Sequence, residues 1–400
     1  VKAVHPVDEI VGIKWRSLIS RCILVGVTYS VSLYRSIDIA RELIKRGANV
    51  RVMLTKEASR IISPELFYWA TGTKPIVDLT GKTEHVSLSE ECDIFLVSPC
   101  TLNTFVKIAY GISDENISLT ALNFIGNGKR VILTPVMHSS MYSTPQYKRA
   151  YEILSSMDNV VIIDPLDEQG RIKLPEVEAI ANITETLTLR KRDYKGIRAL
   201  VTSGPTREYF DKIRFISNPS SGKMGASLAW ELYARGAEVT VVHGPSVAKY
   251  PPWVTKREVE STEEMAEVVK ELGDFDIAFL AAAPADYRSE DVYPGKLDSR
   301  DEIVLKLVPT PKVANNVKAK VKVGFTAVVG DNIIDMALIK LRNYGFDMIV
   351  ANRVDRRDIG FTSDLNEVYL ITKDEKIRHV PKLPKFLVAR AIVDEARGLL

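Results

Sequence analysis

Two stretches of the chain carry the same local order of strand, loop, helix, glycine and strand. The first opens on Cys22-Ile-Leu-Val-Gly26, continues as a helical pattern from Leu33 to Arg46, and passes Gly47 into Asn49 to Leu54. The second opens on Ala199-Leu-Val-Thr-Ser-Gly204, crosses a long loop to Lys223 to Arg235, and passes Gly236 into Glu238 to Val242. Gly47 and Gly236 stand where a helix C-cap is expected. Each stretch reads as a βαβ unit, which implies a parallel sheet with a right-handed crossover. Further short apolar runs suit strands covered on both faces. They are Asp93 to Ser98, Arg130 to Thr134 and Val160 to Ile163, then Asp276 to Ala281, Val321 to Phe325 and Asp347 to Val350. Glu367 to Thr372 and Lys376 to Val380 read as a late hairpin. The expected fold class is α/β, with two Rossmann-like doubly wound parallel-sheet domains. Ile180 to Gly196 reads as a helix or linker between them, so the domains are placed at 1–190 and 191–400.

The bulk numbers fit that division. A chain of 400 residues is expected to form two or three domains. Apolar residues make up 46% and charged residues 26%, an ordinary globular balance. A formal charge of +3 argues for neither a nucleic-acid nor a membrane partner. Cys22, Cys92 and Cys100 have no metal-ligand spacing and read as buried thiols of a reducing compartment. His5, His85, His138, His243 and His379 include no zinc pair on one helix, so no protein-held metal is expected. No apolar run reaches membrane-spanning length and Val1 to Arg21 lacks a signal-peptide core, which places the chain in the cytoplasm.

In an open α/β sheet, ligands bind beyond the C-terminal ends of the strands. The second half carries a loaded loop there: Thr202-Ser-Gly-Pro-Thr-Arg207, then Arg214-Phe-Ile-Ser-Asn-Pro-Ser-Ser-Gly-Lys-Met-Gly225. Gly204, Ser220, Ser221 and Gly222 can aim backbone N–H groups at an anion, and the following helix start adds a favourable field. The loop is neither a Walker A nor a G-x-G-x-x-G loop. A simple Ser/Gly helix cap would account for Ser220 to Gly222, but not for Arg207, Arg214 and Asn218 crowded beside them.

The run TSGPTRE, then FISNPSSGKMG, AAPADYR, VGF and ANRV followed by GFTSDLN resembles the phosphopantothenoylcysteine synthetases, over nearly all of residues 197–400. The resemblance implies that phosphopantothenate attacks CTP to give an acyl-cytidylate, from which cysteine then displaces CMP. It implies Mg²⁺ with the triphosphate. Asn218 matches the residue needed for attack on the acyl-cytidylate, with Arg214 beside it. Leu280, Ala281, Ala282 and Asp286 match the segment that reads the cytosine. Lys296 matches a charge-stabilising loop lysine, and Pro311, Lys312, Val313, Ala314, Phe325 and Lys340 match further nucleotide contacts. Three positions depart from the family: Leu297-Asp298-Ser299 follows Lys296, Tyr344 replaces a lysine, and Thr326 to Val329 lacks an acidic residue.

In the first half, Gly26, Thr28 and Ser30 follow the first strand, Thr55 ends the second, and Ser98, Thr101, Asn103 and Thr104 end another. Met137 and His138 end a fourth. Small hydroxyl residues at helix starts bind phosphate through O–H and N–H donors, although they also serve as ordinary caps. Together these loops resemble the flavin-containing cysteine decarboxylases over roughly residues 20–180, in particular those acting on phosphopantothenoylcysteine with FMN. The resemblance implies oxidation of the cysteinyl carbon next to sulfur, loss of CO₂ from the resulting thioaldehyde, and return of the hydride to give 4′-phosphopantetheine. His85 matches the active-site histidine, and is otherwise read as a strand-end surface residue. His138 replaces the asparagine that holds the substrate carboxylate. The stretch Asp164 to Pro175 matches the substrate clamp but has no cysteine, which leaves His138, Glu168 or solvent as the last proton donor.

Consecutive reactions on one chain point to a bifunctional enzyme with phosphopantothenate, cysteine and CTP as small-molecule substrates. The alternative is an active ligase fused to a degenerate flavin-binding oligomerisation module. The resemblance implies a homo-oligomer of synthetase dimers and decarboxylase trimers, up to a dodecamer, without nucleic acid or membrane.

Overall fold

A computed structural model describes residues 5–168, 171–298, 302–330, 332–356 and 358–400. The chain divides into two compact units, Val1–Lys191 and Arg192–Leu400.

In the first unit, β1 (Cys22–Val27), β2 (Asn49–Leu54), β3 (Ile94–Cys100), β4 (Arg130–Pro135) and β5 (Val160–Ile162) form a parallel sheet of order β2-β1-β3-β4-β5. This is the flavodoxin-type order, with its switch point between β1 and β3. Every residue of β1 and β3 is buried, as their continuous apolar runs require. The helix expected over Leu33 to Arg46 divides into a 3₁₀ turn, Val31–Tyr34, and an α-helix, Arg35–Lys45. The Ser30 side chain caps the 3₁₀ turn by accepting from Ser32 N at 3.3 Å, so the tighter geometry begins there. A short hairpin, β6 (Leu166–Glu168) and β7 (Arg171–Lys173), lies in the stretch read as a clamp. Gln169 and Gly170 of that stretch lie outside the described residues.

The segment read as a helix or linker is the helix Val177–Leu189 of the first unit. The guanidinium of Arg46, fully buried, bonds to Glu185 at 3.0 Å, Asn182 at 2.8 Å and Glu42 at 3.1 Å, and so fastens that helix to Arg35–Lys45. A buried charge persists only when paired and hydrogen-bonded in this way. The cysteine reading is corrected in part. Cys22 opens β1 and Cys92 precedes β3, and adjacent strands bring their Cα atoms to 4.4 Å, where the two form a disulfide. Cys100 is free and buried.

In the second unit, β8 (Arg198–Ser203) leads into an antiparallel arm, β9 (Arg207–Tyr209) and β10 (Phe215–Ser217). The main sheet adds β11 (Glu238–His243), β12 (Thr255–Glu258) and β13 (Asp274–Leu280). A second small hairpin, β14 (Tyr287–Ser289) and β15 (Leu307–Pro309), precedes β16 (Lys318–Val328) and β17 (Met348–Arg353). The late hairpin is β18 (Leu365–Thr372) and β19 (Ile377–Pro384). The order is β12-β11-β8-β13-β16-β17-β18-β19, parallel as far as β17 and antiparallel beyond. Its first six strands repeat the dinucleotide-fold order 3-2-1-4-5-6, with the switch point between β8 and β13. Both halves are therefore doubly wound α/β sheets. No described helix is long and apolar enough to cross a membrane.

Candidate active sites

In the second unit the C-terminal edge of the sheet holds two adjoining cavities. One, of about 170 Å³, is lined by Leu280, Ala282, Asp286, Pro311, Lys312, Val313, Ala314, Phe325 and Lys340, and also by Tyr344. The other, of about 360 Å³, is lined by Asn218, Ser220, Ser221, Gly222, Ala281, Ala282, Asp286, Phe325 and Lys340. Ala282, Pro284, Asp286, Phe325 and Lys340 face both. Residues that lie far apart in the sequence are thus brought onto one continuous surface.

The segment Ala282 to Ala285 is the wall between β13 and the loop after β8. Its amides are held at Thr202 Oγ1 (3.3 Å, from Ala282), at Gly204 O (2.9 Å, from Ala283) and at Thr206 Oγ1 (2.9 Å, from Ala285). Thr310 Oγ1 donates to Ala285 O at 2.6 Å. Asn218 Nδ2 donates to Ala283 O at 3.2 Å and Pro284 O at 2.9 Å. Gly204 lines neither cavity; its positive φ of 76° and its carbonyl shape the turn instead.

The helix Lys223–Ala234 starts at Gly222, whose φ of 74° suits glycine. Its first-turn N–H groups face outward from the helix start, where an anion gains from the dipole. Gly225 lets this helix approach β8: a Cβ there would lie 2.2 Å from Ser203 Oγ and 2.5 Å from Ser203 Cβ. Gly225→Ala is expected to cost about 1–3 kcal/mol of stability in the second unit by overpacking. Chemical denaturation checks this, and an unchanged midpoint would refute the close-approach account.

Charges are paired here without being neutralised in place. Lys312 Nζ lies 2.6 Å from Asp286 Oδ1, and this hydrogen bond holds the Lys312 ammonium above its ordinary range. Lys340 Nζ donates to Thr326 Oγ1 at 2.9 Å. Arg214 and Lys296 line neither cavity. Arg214 sits on the arm that β10 continues, bonded to Asp211 at 3.0 Å and to Leu297 O at 3.2 Å. Burial opposes the Asp211 charge, but the amides of Arg214, Ile213 and Leu297 hold its carboxyl below the usual range. Lys296 thus shares a local cluster with Arg214. Ser299, part of the departure after Lys296, lies outside the described residues.

Sequence reasoning missed Lys385 and Asn366, both of which line the larger cavity. Lys385 opens the last helix, Lys385–Arg397, where a cation opposes the helix dipole. That misplaced charge was a readable signal. Burial, followed by repulsion from Lys223, pushes its ammonium down to about 8. Asn366 is an inward residue of β18 and carried no motif signal of its own.

In the first unit Thr28, Ser98 and Thr101, three of the residues expected at the flavin, lie where the ends of β1 and β3 adjoin. Thr28 Oγ1 donates to Pro99 O at 2.9 Å and accepts from Thr101 N at 3.0 Å. Ser36 Oγ donates to Ser98 O at 2.7 Å. Ser98 Oγ and His85 Nδ1 are buried without a partner, a state that costs free energy until a ligand satisfies it. Thr55 Oγ1 accepts from Ala58 N at 3.2 Å as a cap. Met137 is buried and Asn103 is exposed.

Three readings change. Gly26 lies within β1, where a Cβ would meet the Phe95 ring at 2.8 Å, so sheet packing accounts for it. Thr104 Oγ1 is engaged by Glu115 at 2.6 Å. His85 belongs to the helix Glu84–Glu91 and is half-buried, which excludes a strand-end surface site. His138 caps the short helix Ser139–Tyr142: its Nδ1 accepts from Ser140 N at 3.4 Å and lies 2.9 Å from Ser140 Oγ. Glu168 pairs with Lys173 across the β6–β7 hairpin.

Two doubly wound sheets, each with polar side chains collected at its switch point, define an α/β protein with a separate ligand site in each half. Residues 14–189 match the family described as Flavoprotein, and residues 194–399 match the DNA/pantothenate metabolism flavoprotein C-terminal domain. The chain is 36% identical to the coenzyme A biosynthesis bifunctional protein CoaBC of Thermococcus kodakarensis over 411 residues, covering 99% of this chain and 100% of the relative. It is 36% identical to the protein of the same name from Methanocaldococcus jannaschii over 380 residues, covering 93% and 92%. A crystal structure of the C-terminal domain of such a protein aligns at 32% identity with a TM-score of 0.44, over 52% of this chain and 98% of that one. The chain belongs to the CoaBC family of coenzyme A biosynthesis bifunctional proteins. It is a bifunctional enzyme of that pathway, with a flavoprotein decarboxylase unit and a ligase unit.

Proposed function

We propose that the second unit uses CTP to activate the carboxylate of 4′-phosphopantothenate and then joins it to cysteine. The observation that carries this reading is the pair of cavities with a common wall of Asp286, Phe325 and Lys340. A carboxylate is a poor electrophile, so the reaction needs two sites that meet: one for the nucleotide, one for the acid. Leu280, Ala282 and Pro311 to Ala314 supply an apolar, backbone-rich pocket for a planar base. Lys312 and Lys340 stand where the polyphosphate would emerge, and offset its charge. Ser220 to Gly222 and the helix start receive an anionic group of the acid. Asn218 holds the wall on which the acyl group is attacked, and Arg214 with Lys296 supplies cations from the arm. Among the described residues no group of three or more His, Cys, Asp or Glu side chains could hold a metal. Mg²⁺ is therefore assigned to the triphosphate rather than to a protein cage.

The first unit decarboxylates the ligation product with FMN. Bound FMN would supply the reversible two-electron redox chemistry that this decarboxylation needs at the carbon next to sulfur. The residues of the first unit fit this group: Ser98 Oγ at the end of β3 and His85 Nδ1 on the helix Glu84–Glu91 are buried donors or acceptors without a protein partner. Ser30, Thr55 and Thr101 would offer hydroxyls to its phosphate and ring, while the buried Thr28 hydroxyl ties the end of β1 to the loop that carries Thr101. The Nδ1 contacts of His138 leave its Nε2 as the protonated nitrogen, able to donate to the substrate carboxylate. Glu168 is tied to Lys173, which favours His138 or solvent over Glu168 as the last proton donor. Homo-oligomers built from ligase dimers and decarboxylase trimers complete the reading, and light scattering reads their mass.

A coupled assay tests both halves. Phosphopantothenate, cysteine and one nucleotide at a time are supplied, while pyrophosphate, CO₂ and the thiol product are followed. CTP is expected to support all three products. Equal turnover with ATP would overturn the nucleotide assignment. Accumulation of an enethiol would overturn the substitution of the clamp cysteine by another acid. Ligation without CO₂ from flavin-loaded protein would favour the degenerate alternative.

A further inference from the structure

The floor of the larger cavity is built from groups that no nucleotide contact requires. Lys385 is 6% exposed, and its Nζ donates to Gly360 O at 2.8 Å and Phe361 O at 3.1 Å. The same Phe361 carbonyl accepts from Ser221 Oγ at 2.6 Å. One peptide carbonyl therefore couples a buried ammonium to the loop that starts the helix Lys223–Ala234. An ammonium has three N–H donors, and two are accounted for by these carbonyls. Asn366 is 5% exposed and lines the same cavity, and its Oδ1 is buried with no partner. An acceptor left bare in a cavity calls for a ligand N–H or O–H. Two charged groups face Lys385. Lys223 repels it and Asp364 attracts it, and these two pair with each other at 2.5 Å.

We propose that Lys385 is a positioning residue for ligation, which clamps the Gly360–Phe361 turn against Ser221 and so sets the shape and charge of the anion loop, while Asn366 accepts a hydrogen bond from the acid substrate. This rests on the ligase reading above and assigns the larger cavity to the acid rather than to the nucleotide. The ligand class is a phosphorylated acid with a hydroxyl or amide N–H, which suits both an anion loop and a bare acceptor. A buried lysine offers this only because a bound anion compensates for its desolvation.

The test is steady-state ligation with phosphopantothenate and CTP varied separately. Lys385→Met is expected to raise the KM for phosphopantothenate about tenfold or more through loss of a charge-assisted contact, with the KM for CTP within about twofold. Lys385→Arg is expected to restore part of that loss. In the wild type, the KM for the acid should rise as pH passes about 8, where Lys385 loses its proton. The Lys385→Met profile should be flat there. A parallel rise of both KM values, or a wild-type pH profile that survives Lys385→Met, overturns the proposal. Should Lys385→Met not fold, Asn366→Asp decides: it places a carboxylate on the cavity floor, and an unchanged KM for the acid refutes the assignment. Calorimetric titration of phosphopantothenate without nucleotide separates this proposal from the ligase reading. Weaker binding to Lys385→Met supports Lys385 even if CTP gives no turnover, and equal binding overturns Lys385 even if CTP does.

Discussion

Asn218→Asp is expected to lower amide formation by about 10²- to 10³-fold, the scale on which active sites depend on one well-placed donor. The wild-type amide donates to Ala283 O and Pro284 O. A carboxylate has no N–H to give and would set its charge against two carbonyl oxygens. The segment Ala282 to Pro284 lines both cavities, so its displacement reaches the nucleotide and the acid together. Asn218→Ala removes the two hydrogen bonds without adding charge, and its loss should be smaller. Following pyrophosphate and amide product separately locates the damage. A fall in amide formation that outruns the fall in pyrophosphate release places Asn218 at the attack of cysteine on the acyl-nucleotide. Wild-type rates for both steps would remove Asn218 from the site altogether.

The strands were legible because a strand covered on both faces leaves a continuous apolar run, as in Cys22 to Val27 and Ile94 to Val97. Strand order was not legible, since hydrophobic pattern does not say which neighbours pair. The cysteine reading failed for that reason: Cys22 and Cys92 are seventy residues apart, and only the pairing of β1 with β3 makes them neighbours. Motif residues met in space because each sits at a strand's C-terminal end, an edge that a parallel sheet places on one side. Asn366 escaped notice because it lies on β18 of the antiparallel extension, where no loop motif marks the edge, and Lys385 because it opens the helix after β19, where only its unfavourable position at a helix start signals it. Gly26 and Gly204 are required by the fold whether or not a ligand touches them. A glycine beside a ligand loop looks functional, yet Phe95 in one case and the turn to Ala283 in the other already require it. Arg214 and Lys296 line neither cavity, because their arm is fastened by Asp211 and Leu297 O.

Thr28→Val is expected to lower flavin occupancy while sparing ligation. Thr28 is 1% exposed, and its hydroxyl joins the end of β1 to the end of β3 through Pro99 O and Thr101 N, beside a longer bond from Thr28 N to Pro99 O at 3.4 Å. Valine keeps the shape and removes both bonds, leaving the half-buried Thr101 amide without its partner and Pro99 O with only the longer bond from Thr28 N, at a cost of about 1–3 kcal/mol. That cost falls on the switch point, where Ser98 Oγ waits without a partner and Thr101 starts the helix Leu102–Tyr110. If half of it is expressed as lost affinity, flavin binding weakens by about two- to twelvefold. Flavin absorbance per chain after gel filtration reads the result directly. Thr28→Ser keeps the hydroxyl and should retain the flavin, which separates the hydrogen bonds from the methyl group. Pyrophosphate release by the second unit serves as the internal control, because no ligase residue is altered. Stoichiometric flavin in Thr28→Val would show that the β1–β3 link is dispensable and that the ring and phosphate are held elsewhere.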